Sequence, residues 1–242
     1  MTNNKDHVWD DIFIAIVSVD LPSNKLRVKK LQSNLKKNGL CNGYIFNGKK
    51  ALSKEGRNIV VFQTHYDICI WFIKNRPCRH LFILEDDAYI CEKNITRKIK
   101  RSLRVLDKLY SKWVVLSLGC IASRQMTHIQ NDLYNGAGYG AHSYILNGDT
   151  LSRYLSKISS ERWKAPNCVE HWGDISLHNT YMIHPILFTQ NVHFSGIMLI
   201  LLPCITNPAI LRYYLNTVNW LNINRFIIII FFIFIYILVK LW

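Results

Sequence analysis

Three carboxylates in a row, Glu85-Asp86-Asp87, close the apolar run Leu81-Phe82-Ile83-Leu84. Adjacent acids repel one another, and a cation is the simplest way to hold them side by side. Mg²⁺ and Mn²⁺ take oxygen ligands and commonly bridge protein carboxylates to substrate phosphates. A buried strand that ends in acids is therefore a candidate metal–diphosphate site; the plain alternative is a solvated strand end. Other common chemical signatures are missing from the sequence. The glycine cluster Gly136-Ala137-Gly138-Tyr139-Gly140 is neither a G-x-G-x-x-G fingerprint nor a phosphate loop with Gly-Lys-Ser/Thr, and by itself is weak evidence that reads first as a tight turn. The seven cysteines are scattered, with no C-x-x-C pair, which argues against a zinc knuckle or a redox motif and for reduced thiols.

The elements that must position the acids alternate between strand and helix. Ile12–Val19 is a β-branched apolar run and reads as a first, buried strand. A helix is expected from Asn24 to Asn38, capped by Ser23 and ended by Gly39, with Leu26, Leu31 and Leu35 near one face and lysines mostly on the other. Gly43–Phe46 suggests a short strand, and Asn58–Lys74 a long helix ended by Arg76-Pro77. After the strand Leu81–Leu84 come a basic amphipathic helix, Thr96–Tyr110, and a strand, Trp113–Leu118. Ser143–Leu146 reads as a further strand and Thr150–Ile158 as a helix capped by Asp149. This alternation predicts an α/β sandwich on a mixed, mainly parallel sheet.

The 242 residues suffice for one such domain and an appendage. Half are hydrophobic and 19% charged, which excludes a disordered chain. A formal charge of +14 favours anionic partners such as nucleotide phosphates or acidic lipid, although a composition rich in Ile, Asn and Lys also raises it. From Phe226 to Val239 every residue is Ile, Phe, Tyr, Leu or Val. As a helix that run covers roughly 21 Å, and extension from Trp220 to Trp242 reaches the length of the bilayer core, roughly 30 Å. Trp220 and Trp242 suit the interface, and Arg225 and Lys240 can snorkel. We therefore expect a domain over 1–205, a connector over 206–224 and a membrane-anchoring helix over 225–242. The basic body is expected on the cytosolic side, and a buried core helix is the alternative for the last segment.

In order and spacing, a set of segments resembles glycosyltransferase family 25, which includes bacterial lipooligosaccharide and collagen galactosyltransferases. The resemblance runs from about Ile12 to Ile197. It rests on Ile14–Asp20 followed by Arg27, on Thr64-His65 in a helix, and on Leu84-Glu85-Asp86-Asp87. It continues through Leu116–Gly119, Gly140–Leu146, Asp174–Leu177 and the closing set Pro185, Gln190, Ser195 and Ile197. Two departures are Thr64 where the family has Ser, and Ser18-Val19-Asp20 where it usually has Asn-Leu-Asp.

What the resemblance implies is a GT-A-like nucleotide-sugar-binding fold and metal-assisted transfer from a UDP-sugar to a glycan, lipid-linked or protein acceptor, with galactose one possible sugar. Mn²⁺ or Mg²⁺ would be held by Glu85 and Asp87, with His193 as a further ligand or else a structural histidine. The donor would meet Val17, Ser18, Asp20, Arg27, His65, Glu85, Asp86, Gly140, His142 and Gln190. For inversion a carboxylate must take the acceptor's proton; Asp174 is the first choice and Glu170 the second, while a helix N-cap is the other reading of Asp174. Two competing classes are an inactive membrane-anchored scaffold on the same fold and a nucleic-acid binder. The second is disfavoured, because the chain lacks the usual nucleic-acid modules.

Overall fold

The computed structural model describes residues 11–19, 22–41, 43–48, 54–119, 121–122, 126–136, 138–139, 142–156, 179–190, 216–217 and 220. In chain order these form β1 (Ile12–Val19), α1 (Pro22–Lys37), β2 (Tyr44–Gly48), α2 (Lys54–Asn75), β3 (His80–Glu85) and β4 (Ala88–Ile90). There follow α3 (Ile95–Leu109), β5 (Val115–Ser117), β6 (Ile121–Ala122), β7 (Thr127–Gln130), β8 (Leu133–Asn135) and β9 (Gly138–Tyr139). The last described elements are β10 (Ser143–Asn147), α4 (Gly148–Ser156), β11 (Thr180–Ile183) and β12 (Phe188–Gln190).

The main sheet has eight strands in the order β2-β1-β3-β10-β5-β11-β8-β7. β2, β1 and β3 run parallel, as do β5 and β11, while β10 lies antiparallel between β3 and β5. The expected mixed, mainly parallel α/β sheet is thus present. Its direction changes at β10, which nothing in the apolar run Ser143–Leu146 announces. The hairpin β7–β8, which pairs its far edge, was not expected either. Its signal was the Asn131-Asp132 turn between two short runs, with Asn131 at a φ of 55°.

Strand alternation divides the core into two layers. Ile14, Ile16, Phe82 and Leu84 face Val28, Leu31 and Leu35 of α1 and Ile99, Leu103 and Leu106 of α3. Ala15, Val17, Leu81 and Ile83 face Phe62, Ile68 and Phe72 of α2 and Leu151 and Leu155 of α4. Covered on both sides, β3 is buried from His80 to Leu84, which is why its sequence is continuously apolar and not alternating.

Helix ends are set locally. Gly39 adopts a φ of 72° past the end of α1, where Gly39 N–H donates to the Lys36 carbonyl and Leu40 N–H to that of Leu35. Leu35 and Leu40 are both buried, the apolar pair that goes with this termination. α1 begins at Pro22, ahead of the expected Ser23 cap, and α2 begins at Lys54, ahead of Asn58. At α4 the expected cap Asp149 lies inside the helix. The Asn147 side chain accepts from the Asp149 N–H and takes the capping role.

Among the described residues no disulfide forms and no helix is long and apolar enough to cross a membrane. The segment 225–242, expected as an anchor, lies outside the described residues, as does most of the connector 206–224.

Candidate active site

Along the chain β1 leads outward to β2 on one side, and α2 then brings it back to β3 on the other. The strand order therefore reverses between β1 and β3. In open α/β sheets the crevice outside the carboxyl ends of the strands at such a switch point is where ligands bind. Val17 pairs with Glu85 across β1 and β3, so both strands deliver their last residues to that crevice.

A polar brace joins the strand ends. The Ser18 hydroxyl donates to Asp86 Oδ2 at 2.5 Å, and the Asp86 N–H donates to the Val17 carbonyl at 3.0 Å. Arg27 Nη1 stands 3.6 Å from Asp86 Oδ1, and Arg27 Nη2 donates to Asn24 Oδ1 at 2.5 Å. Asn24 in turn donates to the Val19 carbonyl at 3.1 Å, which ties the first turn of α1 to the end of β1. Asp86 is thus held by one hydroxyl and one guanidinium. Beside it opens a small cleft lined by Arg27, Lys30, Asn34, Asp86, Asp87 and Tyr89.

Glu85 lies on the other layer, as its place two residues after Ile83 requires. Its carboxylate stands 3.6 Å from Nε2 of the fully buried His65 on α2. His65 Nδ1 is 2.6 Å from the Tyr144 hydroxyl on β10. Burial pushes the imidazole down to about 3, so it is neutral at physiological pH. Burial also raises the Tyr144 hydroxyl, which therefore keeps its proton. The carboxylate facing Nε2 favours the tautomer with its proton on Nε2, directed at Glu85, in which Nδ1 accepts from the Tyr144 hydroxyl.

His142 is interior. Its Nε2 faces the Phe188 carbonyl at 3.5 Å, and a Cβ on Gly119 would collide with both. Burial pushes this imidazole down to about 4 against the opposing effect of that carbonyl. The His142 carbonyl accepts from the Glu85 N–H, so its backbone supports the acidic turn from behind. Gln190 pairs with Ala88 across β12 and β4, one residue beyond Asp87. A second, more apolar groove of about 280 Å³ runs between β2 and α2, with Phe46, Asn47, Thr64 and Trp71 among its walls.

Of the expected site residues, the structure brings together Val17, Ser18, Arg27, Asp86 and Asp87, with His65 and Glu85 alongside and His142 behind. Asp20, Gly140, Glu170, Asp174 and His193 lie outside the described residues, as does the Gln190 side chain. Sequence reasoning missed Asn24, Lys30, Tyr89 and Tyr144. Asn24 and Lys30 lie three positions either side of Arg27 on one helix, a spacing that places them on the same face. Among the described residues no three of His, Cys, Asp or Glu stand together as a metal cage. Asp86 and Asp87 on one cleft do fit a cation shared with a ligand's phosphates, since Mg²⁺ is usually held by one or two carboxylates plus substrate phosphates.

No family model and no curated protein matches the chain. Several solved structures do. The protein A197 from STIV is 15% identical, with a TM-score of 0.43 over 77% of this chain and 97% of the other. A glycosyltransferase involved in glycosylation of the major capsid of PBCV-1 is 13% identical, with a TM-score of 0.38 over 64% and 67%. A putative glucose-1-phosphate thymidylyltransferase from Bacillus anthracis is 11% identical, with a TM-score of 0.42 over 71% and 85%. No family is assigned. Matches at this level leave the functional reading to the geometry of the site.

Proposed function

We propose that the chain is a metal-assisted glycosyltransferase that moves a sugar from a UDP-sugar to a glycan, lipid-linked or protein acceptor. The observation that carries this reading is the cleft at the β1–β3 switch point, where Asp86 and Asp87 sit beside Arg27 and Lys30. The cleft itself is only about 20 Å³, so it is a rim on which carboxylates and cations side by side suit the phosphates of a ligand lying across it, with Arg27 and Lys30 drawing in its charge. Ser18 and Asn24 hold Asp86 and Arg27 in place. The groove between Phe46 and Trp71, about 280 Å³, lies on the α2 layer and shares no wall with this cleft, so the donor's place is read from the cleft alone.

A divalent cation, Mn²⁺ or Mg²⁺, would be held by Asp87, with Glu85 and His193 as further candidate ligands, and would supply Lewis-acid neutralisation of the leaving diphosphate's charge. Asp174, or failing it Glu170, takes the proton of the acceptor hydroxyl. The acceptor oxygen bonds to the anomeric carbon from the face opposite the phosphate, and UDP departs with the electron pair, so the transfer inverts. Membership of glycosyltransferase family 25, with galactose as the sugar, is the form of this reading that the sequence resemblance supports. The run 226–239 would anchor the enzyme, with its catalytic body on the cytosolic side.

Titration calorimetry of the full-length chain with UDP, with and without Mn²⁺, tests the proposal. Binding that requires Mn²⁺ and is lost in Asp87→Ala is the expected result. A folded protein that binds UDP under neither condition would leave an inactive scaffold as the better account.

A further inference from the structure

The two layers that sandwich the sheet carry very different charge. α1 and α3, which share one layer, contain twelve Lys and Arg residues and a single acid, Asp107. α2 and α4, on the other layer, contain four basic residues and three acidic ones. A bias in overall composition would load both layers alike, so the excess calls for a cause specific to one face. The one acid does not offset it at the surface. Asp107 turns inward and is held by His80, Trp113 and Arg79. Asp132 and Glu92 take up Lys98 and Arg101 at one corner, whereas Lys29, Lys36, Arg97 and Lys108 are exposed.

Two leucines stand among these charges. Leu26 on α1 is 72% exposed and Leu109 at the end of α3 is 59% exposed. Both helices already bury another apolar face against the sheet, so neither leucine is needed for the core. Lysines around isolated exposed leucines suit an anionic lipid surface. The cations attract the headgroups, and the leucines enter the boundary of the acyl chains. Nucleic acid would use the charge and leave the leucines without a role. The apolar sequence from Phe226 to Val239 gives the chain a second reason to be near a bilayer.

From this asymmetry we infer that the α1–α3 face docks on an anionic bilayer surface. Arg27 and Lys30 belong to α1, so the candidate cleft opens beside the docked face and would work close to the membrane plane. The docking does not depend on the donor chemistry and stands or falls apart from it.

The test is flotation of the full-length chain with vesicles of phosphatidylcholine alone and of phosphatidylcholine mixed with phosphatidylglycerol, across a salt series. Stronger binding to the mixed vesicles, declining with salt, is expected. Each of Lys29→Gln, Lys36→Gln, Arg97→Gln and Lys108→Gln should weaken that excess about fivefold. Binding to neutral vesicles, and thus any contribution of 226–239, should stay unchanged. The opposite-face pair Lys74→Gln and Arg153→Gln is the control and should not reduce the excess. No excess on anionic vesicles, or equal losses from both sets, would overturn the inference. So would single-stranded RNA that displaces the protein from mixed vesicles and binds it more tightly than they do.

Discussion

Strand β3 meets a histidine–carboxylate pair at each end, and the two pairs are built differently. At its start, His80 Nε2 lies 3.2 Å from Asp107 Oδ2, which also accepts from Arg79 Nη1 at 3.0 Å, while Asp107 Oδ1 accepts from Trp113 Nε1 at 2.9 Å. Burial alone would raise the Asp107 carboxyl. The hydrogen bonds of His80 and Trp113 and the nearby charges outweigh it, and the group is lowered. That end is a pin joining β3, α3 and the start of β5. At its finish, Glu85 stands 3.6 Å from a neutral His65, and Asp86 is held by Ser18 and Arg27 on the rim of a cleft. The start of this strand is thus pinned by a saturated carboxylate of α3 that holds the fold, whereas its finish leads into a set of carboxylates open to a ligand. Carboxylates at the two ends of one strand reveal their roles through their surroundings, not their type.

If this division is right, substitutions at the two ends should separate stability from binding. The largest loss of stability is expected from Asp107→Ala, which strips acceptors from His80, Trp113 and Arg79 and should cost roughly 3 kcal/mol in denaturant unfolding. UDP affinity of the folded fraction should be unchanged. Tyr144→Phe removes the hydroxyl partner of the buried His65 Nδ1 and should cost about 1–2 kcal/mol, with a modest loss of donor affinity because Glu85 loses its backing.

Acid separates the ends by pH window. His65 and His142 are lowered from 6.5 to about 3 and about 4, so the unfolded chain protonates them first. Stability is therefore lost as pH falls below about 6.5, by about 1.4 kcal/mol per pH unit for each histidine. Asp107 is lowered from 3.8, so its contribution is complete above that value and fades only at lower pH. Unfolding curves at pH 7, 6 and 5 should show the slope, to which His184, also lowered by burial, adds, and His65→Gln should make it shallower. The smallest effect on stability is expected from Asp86→Asn, below about 1 kcal/mol because Arg27 is partly exposed. The same substitution should weaken Mn²⁺-dependent UDP binding at least about tenfold, a loss of about 1.4 kcal/mol.

The sequence made some of this legible and hid the rest for physical reasons. Leu81–Leu84 followed by three acids located the end of β3, because a doubly covered strand must be apolar throughout and acids must wait for its exit. Gly39 marked the end of α1 because few residues other than glycine tolerate its φ. The cap of α4 was misplaced by two positions. Asn147 and Asp149 are both good capping types, and only the helix start decides between them. Nothing local marks Asp107 within its basic helix; its partners His80 and Arg79 are 27 and 28 positions away, beyond any local pattern. The brace between Ser18 and Asp86 spans 68 positions and follows only from β1 and β3 being neighbours. The antiparallel direction of β10 likewise depends on its partners and leaves no mark on its own apolar run.

The most direct test of the division is a thermal-unfolding comparison of the full-length wild type, Asp107→Ala and Asp87→Ala, each with and without UDP plus Mn²⁺. We predict that Asp107→Ala starts well below the wild type yet gains the full ligand-induced rise in Tm. Asp87→Ala should start near the wild type and gain nothing. Equal gains in both variants would contradict the assignment of the carboxyl end of β3 as the donor site.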